Sequence, residues 1–182
     1  TGHATDHTSG AIRPIGLRTR HLNREAPHGS SLGGNQITAL AERGKLEGLD
    51  TTQPWPQAAL RATEPPHASA TLEDRARTYL DINCGHCHNP KGPADTSALL
   101  LDYDTHAGAD LGVCQPPIAA GQRSGGRLYG IVPGDADASI LAFRMNTTSP
   151  ATMMPELGRT LVHSEGHALI SAWIDGMAGA CR

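Results

Sequence analysis

Residues 84–88 read Cys-Gly-His-Cys-His, a stretch of the C-x-x-C-H type that decides how the rest of the chain is interpreted. Two thiols spaced in this way can each add to one vinyl group of a haem and form two thioethers. The imidazole that follows directly can then bind the iron as the proximal axial ligand. We therefore predict one covalently bound haem c, attached through Cys84 and Cys87 and ligated by His88.

Other uses of the two cysteines stay open in the sequence. A thioredoxin-like pair needs a βαβ context, and the surrounding residues show no such pattern. A structural zinc site could combine the pair with His86 or His88 and with Cys114, but its second half lacks the usual paired spacing. A disulfide between Cys84 and Cys87 would leave His88 without a role.

A helix is expected to lead into the motif. Thr71 and Asp74 are spaced as in a capping box, in which each side chain bonds the backbone N–H of the other residue. The apolar residues that follow at helical spacing are Leu72, Ala76, Tyr79 and Leu80. The pattern predicts a helix that begins at Thr71 and ends at Cys84.

Three further helices are predicted, over residues 35–49, over residues 139–145 and from Ser164 onward, the last two with a serine as N-cap. Their apolar positions are Ile37, Leu40, Ala41 and Leu46 in the first, and Ile170, Trp173, Ile174 and Met177 in the last. Loops rich in Gly and Pro connect them, and only residues 12–15 hint at an extended segment. The expected fold class is therefore all-α, a cytochrome c-like domain with long loops.

A sixth iron ligand is expected to come from a methionine, because methionine paired with histidine ligates the haem of cytochromes c and raises its reduction potential. Met177 falls on an apolar helical stripe and Met145 ends a short helix, so both are expected in the core. Met153 and Met154 lie in a loop, where Pro155 stiffens the backbone. We favour Met154, with Met153 as its rival; the histidine alternatives are His106, His163 and His167.

The surroundings of the haem can also be predicted. The helix ending at Cys84 should pack across the helix from Ser164, and the second ring nitrogen of His88 should donate to a backbone carbonyl in the loop 89–94. One haem edge should stay exposed for transient contacts with a partner. The residues expected in the pocket and adjoining core are Leu99, Leu100, Tyr103, Ile131, Leu141, Leu157 and Trp173.

Composition narrows the class of protein. The formal net charge is −3 and no cluster of Lys and Arg is interleaved with aromatics, which disfavours nucleic-acid binding. No run of 18 apolar residues could span a membrane. The chain has only two Trp, three Tyr and one Phe, so a large apolar cofactor would help to fill its core.

The remaining cysteines, Cys114 and Cys181, are expected to form a disulfide, because haem c is attached outside the cytoplasm, where disulfides persist. Such a bridge would stabilise the fold by about 4 kcal/mol in the chain-entropy model; the alternative is two free thiols. The chain begins at Thr1 without an apolar leader, which we interpret as the mature form of an exported protein or an excised fragment. The expected location is periplasmic or extracellular.

From about Leu72 to Trp173 the chain resembles a conserved hypothetical family of bacterial haem-c-binding proteins. The resembling segments are residues 75–90, 92–97, 132–135, 154–158 and 173–175, with shorter similarities at 23–24 and 34–36. In that family a Met-Pro-Pro-Leu-Gly segment is taken to supply the distal methionine. Here Glu156 replaces the second proline, which leaves the position of Met154 intact.

The resemblance implies electron transfer with a redox partner protein, since related domains are often fused to, or encoded near, sugar-dehydrogenase-like modules. It names no substrate. Two functions follow: a monohaem electron carrier without catalytic residues, whose partner is a dehydrogenase or another cytochrome, or a haem enzyme such as a peroxidase with a displaceable distal ligand. The carrier is favoured because Met154 is available and no distal His/Arg pair is evident in the sequence.

Two regions are expected along the chain. Residues 71–182 should form the haem domain. Residues 1–70 exceed what a minimal cytochrome needs and are interpreted as an extension or docking segment that ends in a Pro-rich linker, residues 51–69.

Overall fold

The computed structural model describes residues 18–26, 28–50, 70–105, 108–118 and 121–182, together with the backbone of two short strands. The chain divides into two compact units, one formed by Gly16–Ala59 and the other by Thr1–Ile15 with Leu60–Arg182. The predicted Pro-rich linker lies outside the described residues. The assignment of residues 1–70 as a docking extension stays a prediction.

The smaller unit contains two helices, α1 (Thr19–Leu22) and α2 (Gln36–Glu42). The side chain of Asn35 caps α2 by accepting a hydrogen bond from the N–H of Ile37. The helix predicted over residues 35–49 is too long, because Gly44 adopts φ +63° and the N–H groups of Gly44 and Lys45 turn back onto the last helical carbonyls. This Schellman-type ending stops the helix.

Helices also predominate in the larger unit, in agreement with the expected all-α class. They are α3 (Leu72–Asn83), α4 (Ile140–Met145) and α5 (Ser164–Asp175). Short 3-10 turns cover Asp95–Ser97, Ala109–Leu111 and Gly121–Ser124. Strands β1 (His3–Thr5) and β2 (Ile12–Pro14) add one antiparallel ribbon, in which His3 lies opposite Pro14.

Helix α3 begins and ends where the sequence predicts. The N–H of Asp74 donates to the Thr71 hydroxyl, and the N–H of Thr71 donates to the Asp74 carboxylate, so the capping box is complete. Cys84 is the C-cap. The first motif cysteine is therefore held at the end of a well-defined helix.

The starts of the other two helices differ from the prediction. Ser139 is the N-cap of α4, but its buried hydroxyl accepts from the N–H of Val132 and donates to the carbonyl of Asp135 instead of capping the helix. Helix α5 is capped by His163, one residue before the predicted Ser164, without a side-chain cap bond. The ring of His163 is bonded instead to Tyr79.

The core lies where α3 and α4 pack against α5. Ile131, Leu141 and Trp173 are buried there as predicted. Leu99, Leu100 and Tyr103 are half-buried. Leu157 is 87% exposed and so does not belong to the core. The fully buried large side chains that the pocket prediction omitted include Leu80, Leu101, Leu111, Ile170 and Ile174.

Cys114 and Cys181 form the expected disulfide, with their Cα atoms 5.1 Å apart. The bond joins the loop before α4 to the segment after α5. None of the helices in the described part of the chain combines the length and the apolar character needed to cross a bilayer.

Candidate functional site

The C-x-x-C-H segment continues the last turn of α3. The N–H groups of Cys87 and His88 both donate to the carbonyl of Cys84, at 3.0 and 2.9 Å. Gly85 permits this turn, because a Cβ there would lie 3.0 Å from both the Asp81 carbonyl oxygen and the Asp102 Cα. The backbone thus holds the two cysteines and the histidine in one compact turn.

The thiols of Cys84 and Cys87 form no disulfide. Burial raises the pKa of Cys84 to about 12; the charge of Cys87 adds to the rise and that of Arg159 opposes it. Burial, followed by the charge of Glu156, also raises the pKa of Cys87. Both thiols are therefore protonated at neutral pH, unlike the low-pKa thiol of a thioredoxin-like pair.

In the folded chain, one of the candidate zinc ligands is no longer a free thiol. Cys114 is bonded to Cys181 and cannot supply a thiolate. Among the residues that the structure describes, no group of three or more His, Cys, Asp or Glu side chains lies close enough together to hold a metal ion. A closed four-ligand zinc site therefore does not fit here.

His88 is buried and its ring is held in one orientation. Its Nδ1 lies 3.0 Å from the Leu99 carbonyl oxygen and 3.1 Å from the Ser97 hydroxyl, which itself donates to the Ala94 carbonyl. Because a carbonyl can only accept, Nδ1 carries the hydrogen and the lone pair is on Nε2. Burial lowers the pKa of His88, which keeps the ring neutral. A neutral imidazole oriented by a carbonyl suits metal ligation.

The carbonyl that orients His88 lies outside the predicted loop 89–94. The 3-10 turn Asp95–Ser97 and the left-handed conformation of Ala98, φ 55°, turn the chain back toward the motif. The N–H of Leu101 then donates to the His88 carbonyl at 2.7 Å. This pairing directs the Leu99 carbonyl at the ring.

Cys84 and Met154 line the same cleft, whose empty space is about 630 Å³ with its open mouth included. Apolar side chains form much of its wall: Met145, Pro155, Leu157 and Leu161. The cleft therefore brings one motif cysteine together with the favoured methionine, while Met153, Cys87 and His88 are not among its lining residues. Leu157, exposed as it is, borders this cleft.

The histidine alternatives fare differently. His163 lines the cleft, but its Nδ1 is 3.0 Å from the Tyr79 hydroxyl and its Nε2 is 3.8 Å from the Glu165 carboxylate. Its Nδ1 is thus engaged by Tyr79, whereas 3.8 Å is too long for a hydrogen bond from Nε2 to Glu165. His167 does not line the cleft, and His106 lies outside the described residues.

Several residues of the site were not anticipated from the sequence, and three of them make polar contacts there. Tyr79 and Arg159 line the cleft, and Ser97 bonds the His88 ring. Tyr79 could have been suspected from its position one turn before Cys84 on the same helix. No local pattern marks Arg159 or Ser97: the acceptors of Arg159 are carbonyls brought near by tertiary folding, and the partner of Ser97 in the site is the ring of His88.

A scan of protein-family models, a search of curated protein sequences and a search of solved structures each returned no match to this chain.

Proposed function

We propose that this chain is a monohaem c-type cytochrome that transfers electrons to or from a redox partner protein. Haem c would be attached to Cys84 and Cys87 and ligated by His88 and Met154. The observation that supports this most strongly is that one cleft is lined by both Cys84 and Met154. A cytochrome c-like arrangement requires a thioether and a distal methionine to meet at the same cofactor.

The chemistry of the residues present fits such a cofactor. The two motif thiols form no disulfide, so both sulfur atoms are available to add to a vinyl group. His88 offers Nε2, while its Nδ1–H donates to the Leu99 carbonyl. Leu157 and Leu161 are exposed in the chain alone and would pack against the apolar surface of the bound haem.

When bound, haem c supplies a one-electron ferric/ferrous couple. The residues of the chain hold and tune it. Cys84 and Cys87 anchor the group covalently, so it stays with the protein through each electron transfer. The Leu99 carbonyl and Ser97 fix the ring of His88 and increase its basicity. Leu157 and Leu161 would cover part of the bound group and limit the access of water to it, which would favour a defined reduction potential. The carrier role requires no catalytic residue.

The proposed partner is a dehydrogenase or another cytochrome, met outside the cytoplasm. The disulfide between Cys114 and Cys181 supports a periplasmic or extracellular location, because such bonds persist in oxidising compartments.

A haem enzyme such as a peroxidase is the second candidate, and one observation favours it. His163 and Arg159 both line the cleft, so the chain does bring a His/Arg pair there although none was evident in the sequence. However, the Tyr79 hydroxyl engages Nδ1 of His163, and backbone carbonyls engage Arg159. We therefore rank this function below electron transfer.

Ferric absorption spectra of the wild type, Met154→Ala and Met153→Ala test the proposal. Low-spin iron with the far-red methionine-to-iron band is expected in the wild type and in Met153→Ala, and loss of that band in Met154→Ala. A wild-type protein with high-spin iron that reacts quickly with peroxide would favour the enzyme instead. Loss of the band in Met153→Ala alone would transfer the ligand role to that residue.

A further inference from the structure

The loop that carries Met154 has little regular structure of its own. Residues 146–163 connect α4 to α5 without a helix or a strand. Loops of this length that lack secondary structure are uncommon and tend to be conformationally heterogeneous. An iron ligand must be held to within about 0.5 Å. Contacts from outside the loop backbone must therefore hold it in place.

Arg159 supplies such contacts from within the loop to the end of α4. Its guanidinium donates to the carbonyls of Met145 at 3.0 Å, Arg144 at 3.2 Å and Thr147. The last carbonyls of a helix lack partners within it, and an arginine can satisfy them with charge-assisted hydrogen bonds. One side chain thus fastens the second half of the loop to α4.

The same carbonyl links Arg159 to the ligand residue. The N–H of Met154 donates to the Arg144 carbonyl at 2.9 Å, so Met154 and Arg159 share one acceptor. Arg144 also donates from Nε to the Thr152 carbonyl at 2.8 Å. The backbone from Thr152 to the Met154 N–H is therefore fixed to Arg144 of α4, and Arg159 fixes the loop after Met154 to the same helix end.

We propose that Arg159 is a positioning residue that keeps Met154 on the iron and thereby keeps the sixth position closed to other ligands. This inference rests on the proposed function. Without the guanidinium the loop should open more often, which would expose the iron to exogenous ligands. Arg159 would thus determine whether the cleft behaves as an electron carrier or as a ligand-binding haem site.

Imidazole binding to the full-length ferric holoprotein is the test. Arg159→Gln should bind imidazole about tenfold or more tightly than the wild type and show a weaker far-red methionine band, because it loses charge-assisted bonds. Arg159→Lys should lie between the two. Arg127→Gln is the matched control, since Arg127 also donates to backbone carbonyls, those of Gly125 and Asp137, but outside this loop. It should bind imidazole like the wild type.

The same Arg159 variants in a Met154→Ala background distinguish a loss of Met154 positioning from a general loss of stability. In Met154→Ala protein, Arg159→Lys and Arg159→Gln should leave the imidazole affinity unchanged, because no methionine remains to be held. Wild-type affinity and an intact band in both Arg159 variants would overturn the inference, as would an equal change in the Met154→Ala background. A wild-type protein without the methionine band would instead refute the proposed ligation itself.

Discussion

At the scale of single residues, the contacts of His88 determine how it can act. A histidine becomes a well-defined ligand when its second nitrogen is held, and here the Leu99 carbonyl and the Ser97 hydroxyl hold Nδ1. The sequence predicted the type of partner, a backbone carbonyl, but placed it too early in the chain; the ligand role of the ring stays a prediction. The left-handed turn at Ala98 that brings Leu99 back has no marker such as glycine.

Ser97→Ala should raise the reduction potential of the holoprotein while the low-spin spectrum stays unchanged. Loss of the hydroxyl removes one acceptor from the Nδ1–H of His88, so the imidazole donates less electron density to the iron. The ferrous state then becomes more stable relative to the ferric state. The free energy of unfolding should fall by about 1–2 kcal/mol, since the part-buried hydrogen bonds of the hydroxyl to His88 and to the Ala94 carbonyl are lost. Potentiometric titration and urea unfolding measure the two effects.

Ser97→Thr is the matched control, because it keeps the hydroxyl and should keep the potential near that of the wild type. A potential that falls or stays constant in Ser97→Ala would show that this hydroxyl does not act on the proximal ligand.

At the scale of elements, the contact between α3 and α5 depends on a glycine. A Cβ at Gly166 would lie 2.2 Å from the hydroxyl oxygen of Tyr79, so the absence of a side chain lets the ring lie against α5. That ring stacks on His163 with centroids 5.6 Å apart. Gly166 thus makes room for the ring of Tyr79, which contacts His163 beside the cleft.

Gly166→Ala should lower the free energy of unfolding by about 1–3 kcal/mol, because the new methyl group collides with Tyr79. In a Tyr79→Ala background the same change should stabilise the protein by about 0.5–1 kcal/mol, since alanine is the better helix former and the clash is gone. Urea unfolding of the four holoproteins provides the comparison. Equal destabilisation in both backgrounds would rule out the collision as the cause.

Local signals predicted the elements to different degrees. The bounds of α3 follow from the capping box of Thr71 and Asp74, a signal contained in four residues. The length of α2 was overestimated because the apolar spacing continues past Gly44, where the backbone adopts the left-handed conformation. The hydroxyl of Ser139 bonds a distant turn instead of its own helix, and only the tertiary fold determines that choice.

At the scale of the whole molecule, the cleft joins elements that are far apart in the sequence. Tyr79 and Cys84 come from α3 and its C-cap, while Met154 and Arg159 come from a loop about 70 residues later. The sequence predicted the disulfide, which forms, and singled out Met154, which lines the cleft and whose role as iron ligand stays a prediction. They could not predict Arg159, because its acceptors meet it only after α4 and the loop have folded together.

Covalent attachment is the property on which the whole interpretation depends, and the spectrum of the denatured, purified protein measures it most directly. The pigment should stay with the polypeptide in acidified organic solvent, and the intact mass should exceed that of the chain by one haem. Cys84→Ala with Cys87→Ala should release it. A colourless wild-type chain, or one that loses its pigment on extraction, would contradict a haem bound through these two cysteines.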